Sequence, residues 1–303
     1  MNTTTRLAAF GGAIVLLAAG GFALGNAVSP VSAATSENAG HGDMGGEHAG
    51  MTAPVDDLPG GLASSKDGYT FTVADTTPDR GRFSFTITGP DGRPVTGFDV
   101  EHEKKLHLIV VRRDTSGFQH IHPEMAPDGT WSVPLTLPAA GSYRAFADFA
   151  PTGGKAMTLG TDLSIAGNYQ PVAHAPSRTA EVDGYTVELA GDLTAGKTSP
   201  LTLTVSRDGV PVTDLQPYLG AYGHLVALRE GDLAYLHVHP EGEPGDGKTA
   251  AGPQVKFAAE VPSAGTYRLF LDFQHGGVVR TAEFTLPTAG TPPAPAPADG
   301  HGH

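Results

Sequence analysis

The chain has 303 residues, which is enough for about two domains of ordinary size. Its 41 glycines, its 25 prolines and a charged fraction of only 17% are typical of a turn-rich β protein. The formal net charge of −13 argues against nucleic acid as a partner, and the absence of cysteine excludes disulfides, thiolate metal sites and cysteine nucleophiles.

The first predicted element is an apolar segment at residues 1–33. Arg6 gives it a positively charged start, the run LAAFGGAIVLLAAGGFALG follows, and VSA before Ala34 has the small residues of a signal-peptide cleavage site. A run of about 19 apolar residues is also nearly long enough to span a bilayer. We therefore predict a cleaved signal peptide or a membrane-anchor helix, an extracytoplasmic location, and membrane contact only through this segment.

Two similar halves make up most of the remaining chain. Residues 66–167 and 182–287 share the motifs DGRPVT/DGVPVT and AGSYRAFADF/AGTYRLFLDF, and a linker at 168–181 joins them. A repeat of about 117 residues indicates duplication of a whole domain. Residues 34–65 are predicted to be a disordered spacer that contains His and Met, and residues 288–303 a disordered Pro/Ala-rich tail.

Within each half, short runs such as FSFTIT and LTLTVS alternate apolar and polar residues between Gly, Pro and Asp turns. About seven strands in about 100 residues are typical of an immunoglobulin-like sandwich. The predicted fold class is therefore all-β, with two tandem immunoglobulin-like β-sandwich domains after an N-terminal signal or anchor helix.

Histidines recur at the same spacing in both halves. They are separated by thirteen residues and then by two: His107, His120 and His122 in the first half, and His224, His237 and His239 in the second. A hairpin turn centred between Asp114 and Thr115, or between Gly231 and Asp232, places the first and third histidine of each set opposite each other. The middle histidine shares their face because strand side chains repeat with period two.

Three imidazoles on one face favour a metal ion, since the ion takes one nitrogen from each ring and stabilises the neutral form. This ligand set suits Zn(II) or Cu(II). Asp148 and Asp272, near the ends of the strands AFADF and LFLDF, are candidate fourth ligands, and His275 is a further candidate in the second half. The two aspartates could instead cap a strand end or pair with Arg144 or Arg268.

The flanking segments favour copper over zinc. They combine imidazole and thioether groups, at His41, Met44, His48, Met51, His301 and His303. Methionine prefers Cu(I) and histidine accepts Cu(II), although the same residues could belong to a low-complexity spacer without a function. We predict copper as the bound ion, with zinc as the alternative.

The motifs SYRAFADF and TYRLFLDF resemble those of exported bacterial YtkA-like and CopC-like immunoglobulin-fold proteins. The pair GHLV and LHVHP is similar to an element of actinobacterial secreted proteins. The resemblance implies a β-sandwich fold and copper handling outside the membrane. The N-terminal histidine of CopC-like sites is not visible here, so the resemblance implies no site residue.

The predicted function is extracytoplasmic metal binding, in which the protein sequesters the ion or delivers it to a metal-transfer partner. The first alternative is a non-catalytic cell-surface or adhesion module with incidental histidines. The second is a metal-dependent enzyme, since three histidines and an open position can activate water. No general base and no G-x-S-x-G motif accompany the histidines, so the sequence favours a protein that is not an enzyme.

Overall fold

The computed structural model describes residues 58–74 and 81–290, and all regular secondary structure in these ranges is β-strand. The predicted signal or anchor segment, the spacer up to residue 57 and the tail from residue 291 lie outside the described residues, together with the histidines and methionines of those flanks. None of the described residues forms a helix long and apolar enough to cross a membrane.

The first half forms a sandwich of two antiparallel sheets. One sheet has the order β1-β2-β3-β7-β6 and the other the order β5-β4-β8-β9. The strands are β1 Ser65–Lys66, β2 Tyr69–Val73, β3 Arg82–Thr88, β4 Leu106–Arg112, β5 Gln119–Ile121, β6 Glu124–Met125, β7 Thr130–Pro134, β8 Gly141–Phe149 and β9 Met157–Ile165.

The second half repeats this architecture. One sheet has the order β10-β11-β12-β13 with β16 also paired to β12, and the other the order β15-β14-β17-β18. The strands are β10 Thr179–Val182, β11 Tyr185–Ala190, β12 Thr198–Arg207, β13 Val210–Pro211, β14 His224–Arg229, β15 Tyr235–Val238, β16 Gln254–Glu260, β17 Thr266–His275 and β18 Val278–Pro287.

Both sandwiches contain a tyrosine corner, a feature of immunoglobulin-like folds. The hydroxyl of Tyr143, near the start of β8, donates to the carbonyl oxygen of Ala139 at 2.9 Å. The hydroxyl of Tyr267, near the start of β17, donates to that of Ser263 at the same distance. Strand order and these corners confirm the predicted immunoglobulin-like fold class.

The two sandwiches pack against each other through the sheets that contain β4 and β14. Every residue of β4, LHLIVVR, is buried, whereas β3 alternates between buried and partly exposed residues. A strand covered on both faces is expected to be a continuous apolar run. The face of β4 that points away from its own sandwich is covered by a hydrophobic cluster to which both halves contribute: Ile109, Val111, Phe146, Val226, Leu228, Leu233, Tyr235 and Phe270.

Contacts across this interface are reciprocal. Phe118 stacks on Phe270 with ring centroids 4.0 Å apart, and Tyr235 stacks on Phe146 at 5.3 Å. Phe118 and Tyr235 hold equivalent positions in the repeat, as do Phe146 and Phe270. The halves are therefore related by an approximate two-fold axis, like the subunits of a dimer with an isologous interface.

Candidate metal centre

The hairpins β4–β5 and β14–β15 place the predicted histidines at this interface. Ile109 pairs with His120 in the first hairpin, and Val226 pairs with His237 in the second. These are the registers that the turn positions predicted, so that part of the sequence analysis is confirmed. Because Ile109 belongs to the cluster between the sandwiches, the histidine face of each hairpin is the face that meets the other half.

The first set converges on one point. The Nδ1 atom of His107 lies 3.0 Å from Nε2 of His120 and 3.2 Å from Nε2 of His122. One nitrogen from each ring lies within 4.8 Å of the other two. Nitrogens bound at 2.0–2.1 Å to a tetrahedral ion are about 3.3 Å apart, so the triad has the spacing of a single metal site.

The hydrogen bonds of these rings fix which nitrogens carry protons. Nε2 of His107 lies 3.0 Å from the carbonyl oxygen of Glu101, and Nδ1 of His120 lies 2.7 Å from a carboxylate oxygen of Asp272. Both oxygens only accept, so both of these nitrogens donate. In the neutral rings, the nitrogens of His107 and His120 that face each other therefore both present lone pairs, and these repel unless a cation lies between them.

Neither His107 nor His122 carries an extra proton that could serve as that cation at neutral pH. His107 is only 2% exposed, and burial lowers its pKa to about 4. Burial, reinforced by the neighbouring His120, lowers the pKa of His122 to about 2. At neutral pH these two rings are uncharged, which is the form that binds a metal ion.

Asp272 belongs to the second half but contacts the triad of the first. Its carboxylate accepts hydrogen bonds from Nδ1 of His120 and from the hydroxyl of Thr281. Along the sheet its Cα partner is His224. The carboxylate thus binds a histidine of the opposite half and not the one beside it.

Asp148 makes the matching contact in the other direction. It accepts from Nδ1 of His237 at 3.0 Å, from the hydroxyl of Tyr235 at 3.2 Å and from that of Thr158 at 2.9 Å. Burial alone would raise its pKa, but the hydrogen bonds from His237 and Thr158 and the neighbouring imidazoles together lower it. Asp148 is therefore ionised at neutral pH.

These contacts give the two aspartates a different place from the one expected. We predicted Asp148 and Asp272 as fourth ligands within their own halves, whereas each supports a histidine of the other half. Such a carboxylate orients a ligating imidazole and makes it more basic. The alternative pairing with arginine is not seen, because Arg144 and Arg268 bind acidic residues on the neighbouring strands.

We expect Asp272→Asn to weaken metal binding by the triad of the first half about 10–100-fold, the usual effect of losing an orienting carboxylate. A chelator-competition titration with Zn(II) measures the change. Asp214→Asn is the matched control, because Asp214 also pairs with a histidine, His275, but outside the triad. An affinity of Asp272→Asn within twofold of the unmodified chain would contradict the expected role of the carboxylate.

The second set is arranged in the same way but is wider. Nε2 of His224 donates to the carbonyl oxygen of Tyr218 at 2.9 Å, and Nδ1 of His237 donates to Asp148. The remaining nitrogens, Nδ1 of His224 and Nε2 of His237, are buried and have no hydrogen-bond partner among the described residues. The centroids of these two rings are 6.2 Å apart, against 5.3 Å for His107 and His120.

Two other predicted residues differ in their placement. His239 is exposed, and its ring stacks on His237 with centroids 5.2 Å apart. His275 lies outside both sets, since its Nδ1 is 2.7 Å from the hydroxyl of Tyr185 and its Nε2 is 3.1 Å from Asp214. The structure therefore does not bring His275 to the predicted metal site.

The structure adds one residue to the cluster that was not among the predicted ligands. His102 has no histidine counterpart in the second half, yet its ring lies between the two sets. Its centroid is 6.1 Å from that of His107 and 5.4 Å from that of His224. Seven imidazoles therefore gather at the interface, contributed by both halves.

The fold and the site define a class of protein: two tandem immunoglobulin-like sandwiches with a histidine cluster between them. The chain belongs to the family of the domain of unknown function DUF8832, whose sequence profile matches residues 64–167 and again residues 180–290. A comparison with curated protein sequences gives no match.

Two solved structures are among those that a structural comparison matches to this chain, both at low identity. One is a protein from Corynebacterium diphtheriae, described as a candidate membrane-anchored protein, with 12% identity and a TM-score of 0.22 over 73% of this chain and 57% of that one. The other is a segment of two fibronectin type III domains from chicken tenascin, with 14% identity and a TM-score of 0.21 over 72% and 97%. The chain thus spans just over half of the Corynebacterium protein. The fold assignment depends on the strand order and tyrosine corners of this chain.

Proposed function

We propose that this protein binds a metal ion outside the cytoplasm, copper with zinc as the alternative, and sequesters it or passes it to a partner protein. The ligands are His107, His120 and His122. The observation that carries the proposal is the pair of buried lone pairs, on His107 and His120, that face each other at 3.0 Å. A divalent ion at this point replaces their repulsion with two bonds.

Copper is favoured by the chemistry of the ligands and of the flanking segments. Neutral imidazoles bind Cu(II) more tightly than Zn(II) in nearly every geometry. The methionines Met44 and Met51 add ligands for Cu(I) in a chain without cysteine. Because Cu(II) displaces Zn(II) from most such sites in solution, a titration does not decide between the two ions. The metal found in the protein as isolated from its cells decides between them.

The hydrogen bonds made by the nearby carboxylates favour metal binding over catalysis. Among the described residues, Asp148 and Asp272 are carboxylates that hydrogen-bond to the triads, and histidine nitrogens already occupy them. A hydrolytic site needs a base that is free to take a proton from bound water. A function in adhesion would account for the sandwiches, but it would not explain why the nitrogens of His107, His120 and His122 converge.

The extracytoplasmic location depends on residues 1–33, which lie outside the described residues. Their sequence is that of a signal peptide or a membrane anchor. An oxidising exterior also suits the chosen ligands, because histidine sites do not need the reduced thiols of cytoplasmic copper carriers.

The test uses the untagged full chain in mild detergent, with His41, His48, His301 and His303 changed to alanine so that the flanks cannot bind. We expect tight binding of Cu(II) and Zn(II) and a higher midpoint of thermal unfolding, because the ion binds only the folded triad. Adding His120→Ala and His122→Ala should remove one bound ion per chain, because both residues are ligands of the first triad.

His275→Ala in the same background is the control, since this histidine lies outside the triad, and it should bind as tightly as the parent. If the parent chain binds no more ions of either metal than the His120→Ala/His122→Ala variant, the proposal is wrong. The adhesion module then becomes the better account of the fold.

A further inference from the structure

We infer that the cluster contains a second metal site with four imidazole ligands, in which His102 of the first half joins His224, His237 and His239 of the second. This inference rests on the proposed function, because it assigns a second ion to the same cluster. It goes beyond a simple duplication of the first triad, because one ligand crosses from the other half.

His102 is held at the tip of a tight turn. Glu101 and Lys104 close the turn with two backbone hydrogen bonds, and the residues between them, His102 and Glu103, have φ angles of 47° and 63°. Residues other than glycine rarely adopt this left-handed backbone conformation. The same turn fixes the carbonyl oxygen that binds His107. One short segment therefore orients a ligand of the first set and projects His102 toward the second.

The ring of His102 is as close to the second set as the ligands of the first set are to each other. Its centroid lies 5.1 Å from those of His237 and His239 and 5.4 Å from that of His224. Centroid separations within the first triad are 4.9, 5.0 and 5.3 Å. His102 is thus packed with all three histidines of the second half, although among the described residues only the nitrogens of the first triad all lie within 4.8 Å of one another.

Two buried nitrogens point to a ligand at this place. Nδ1 of His224 and Nε2 of His237 are buried without a hydrogen-bond partner among the described residues, while the opposite nitrogen of each ring is fixed by an acceptor. Buried polar atoms are almost always paired. A metal ion would supply the missing partner to both, and it would draw together the two rings whose centroids are now 6.2 Å apart.

The two sites differ at one equivalent position. The turn in the second half, closed by Tyr218 and Ala221, carries Leu219 where the first half carries His102. Leu219 is buried and offers no ligand to the first triad. The first site therefore has three imidazoles and an open position, and the second has four. Sites with four protein ligands usually hold structural ions, whereas sites with an open position accept a further ligand. The first site would therefore exchange its ion, and the ion of the second site would hold the two halves together.

The test isolates each site in the full chain with the flanking histidines replaced. His120→Ala/His122→Ala leaves the second site, and His237→Ala/His239→Ala leaves the first. With Zn(II) alone as the probe, we expect two ions per parent chain and one in each double variant.

His102→Asn, whose side chain tolerates a positive φ, should weaken Zn(II) binding at least tenfold in the second-site variant and less than twofold in the first-site variant. Glu103→Asn is the control for the turn and should change neither affinity.

The outcomes separate this inference from the proposed function. If the first-site variant binds one ion and the second-site variant none, the second site is refuted while the proposed function stands. If the second-site variant binds one ion and His102→Asn leaves its affinity unchanged, the four-ligand assignment is wrong. If neither variant binds, both proposals fail together.

Discussion

Replacing Phe270 with alanine is expected to lower the free energy of unfolding by about 3–5 kcal/mol, the usual cost of emptying a buried aromatic site. Phe270 is fully buried between the sandwiches, where its ring stacks on Phe118 of the other half at 4.0 Å. The change removes the stacking and leaves a cavity in the cluster that both halves share. The expected effect thus measures how strongly the two halves depend on each other.

Trp131 provides the readout, because it is the single tryptophan and lies in the core of the first sandwich. If the halves unfold as one unit, a change in the second half shifts the urea transition followed by Trp131 fluorescence. Phe257→Ala is the comparison, since it empties a site of similar size within the second sandwich's own core. A Trp131 transition in Phe270→Ala within about 0.5 kcal/mol of the unmodified protein would show that the interface contributes little.

The same two variants separate stability from function. The interface fixes the distance between Asp272 and His120, so Phe270→Ala should weaken metal binding more than Phe257→Ala does at a temperature where both are folded. Equal affinities in the two variants would mean that the cluster keeps its geometry without the aromatic contact.

Much of the fold could be predicted from local patterns. The alternation in β3 and β12 and the repeated turn motifs identify the strands, since period-two burial is a property of each strand by itself. The positions of the hairpin turns fix which residues pair, and this is why the predicted opposition of His107 and His122 agrees with the register of β4 and β5. These features depend on residues close together in the sequence.

The packing of one half on the other could not be predicted in this way. The run LHLIVVR indicates a strand buried on both faces, but it does not say what covers the second face. The bonds from His120 to Asp272 and from His237 to Asp148 join residues that are far apart in the chain. Sequence reasoning therefore assigned each aspartate to the half in which it lies.

His102 and His275 show the two ways in which the repeat misleads. His102 was not among the predicted ligands, and the second half has Leu219 at its position. A site between two halves, however, does not need identical residues from each. His275 was included because it lies near Asp272 in sequence. Asp272 and His275 lie three positions apart on one strand. Because strand side chains alternate between the two faces, these two side chains point to opposite faces and are not expected to meet.

Acid is expected to destabilise the metal-free protein strongly between about pH 6.5 and 4. Burial lowers the pKa of His107 to about 4 and that of His224 to about 3. In this range the unfolded chain takes up protons that the folded chain refuses, so stability falls as the pH falls. Each unit of pKa shift corresponds to about 1.4 kcal/mol, and His107, which is almost fully buried, should alone account for more than about 2 kcal/mol.

Urea unfolding at pH 7, 6 and 5 in the presence of a chelator measures this slope. His107→Gln removes one titrating ring and should flatten it, whereas Asp148, whose pKa is lowered, protonates only below this range. A stability that stays constant or rises on acidification would contradict the burial of neutral imidazoles. A saturating metal ion should raise the stability at every pH, because it binds the folded chain, and should change the slope little, because the rings of His107 and His122 are already neutral there.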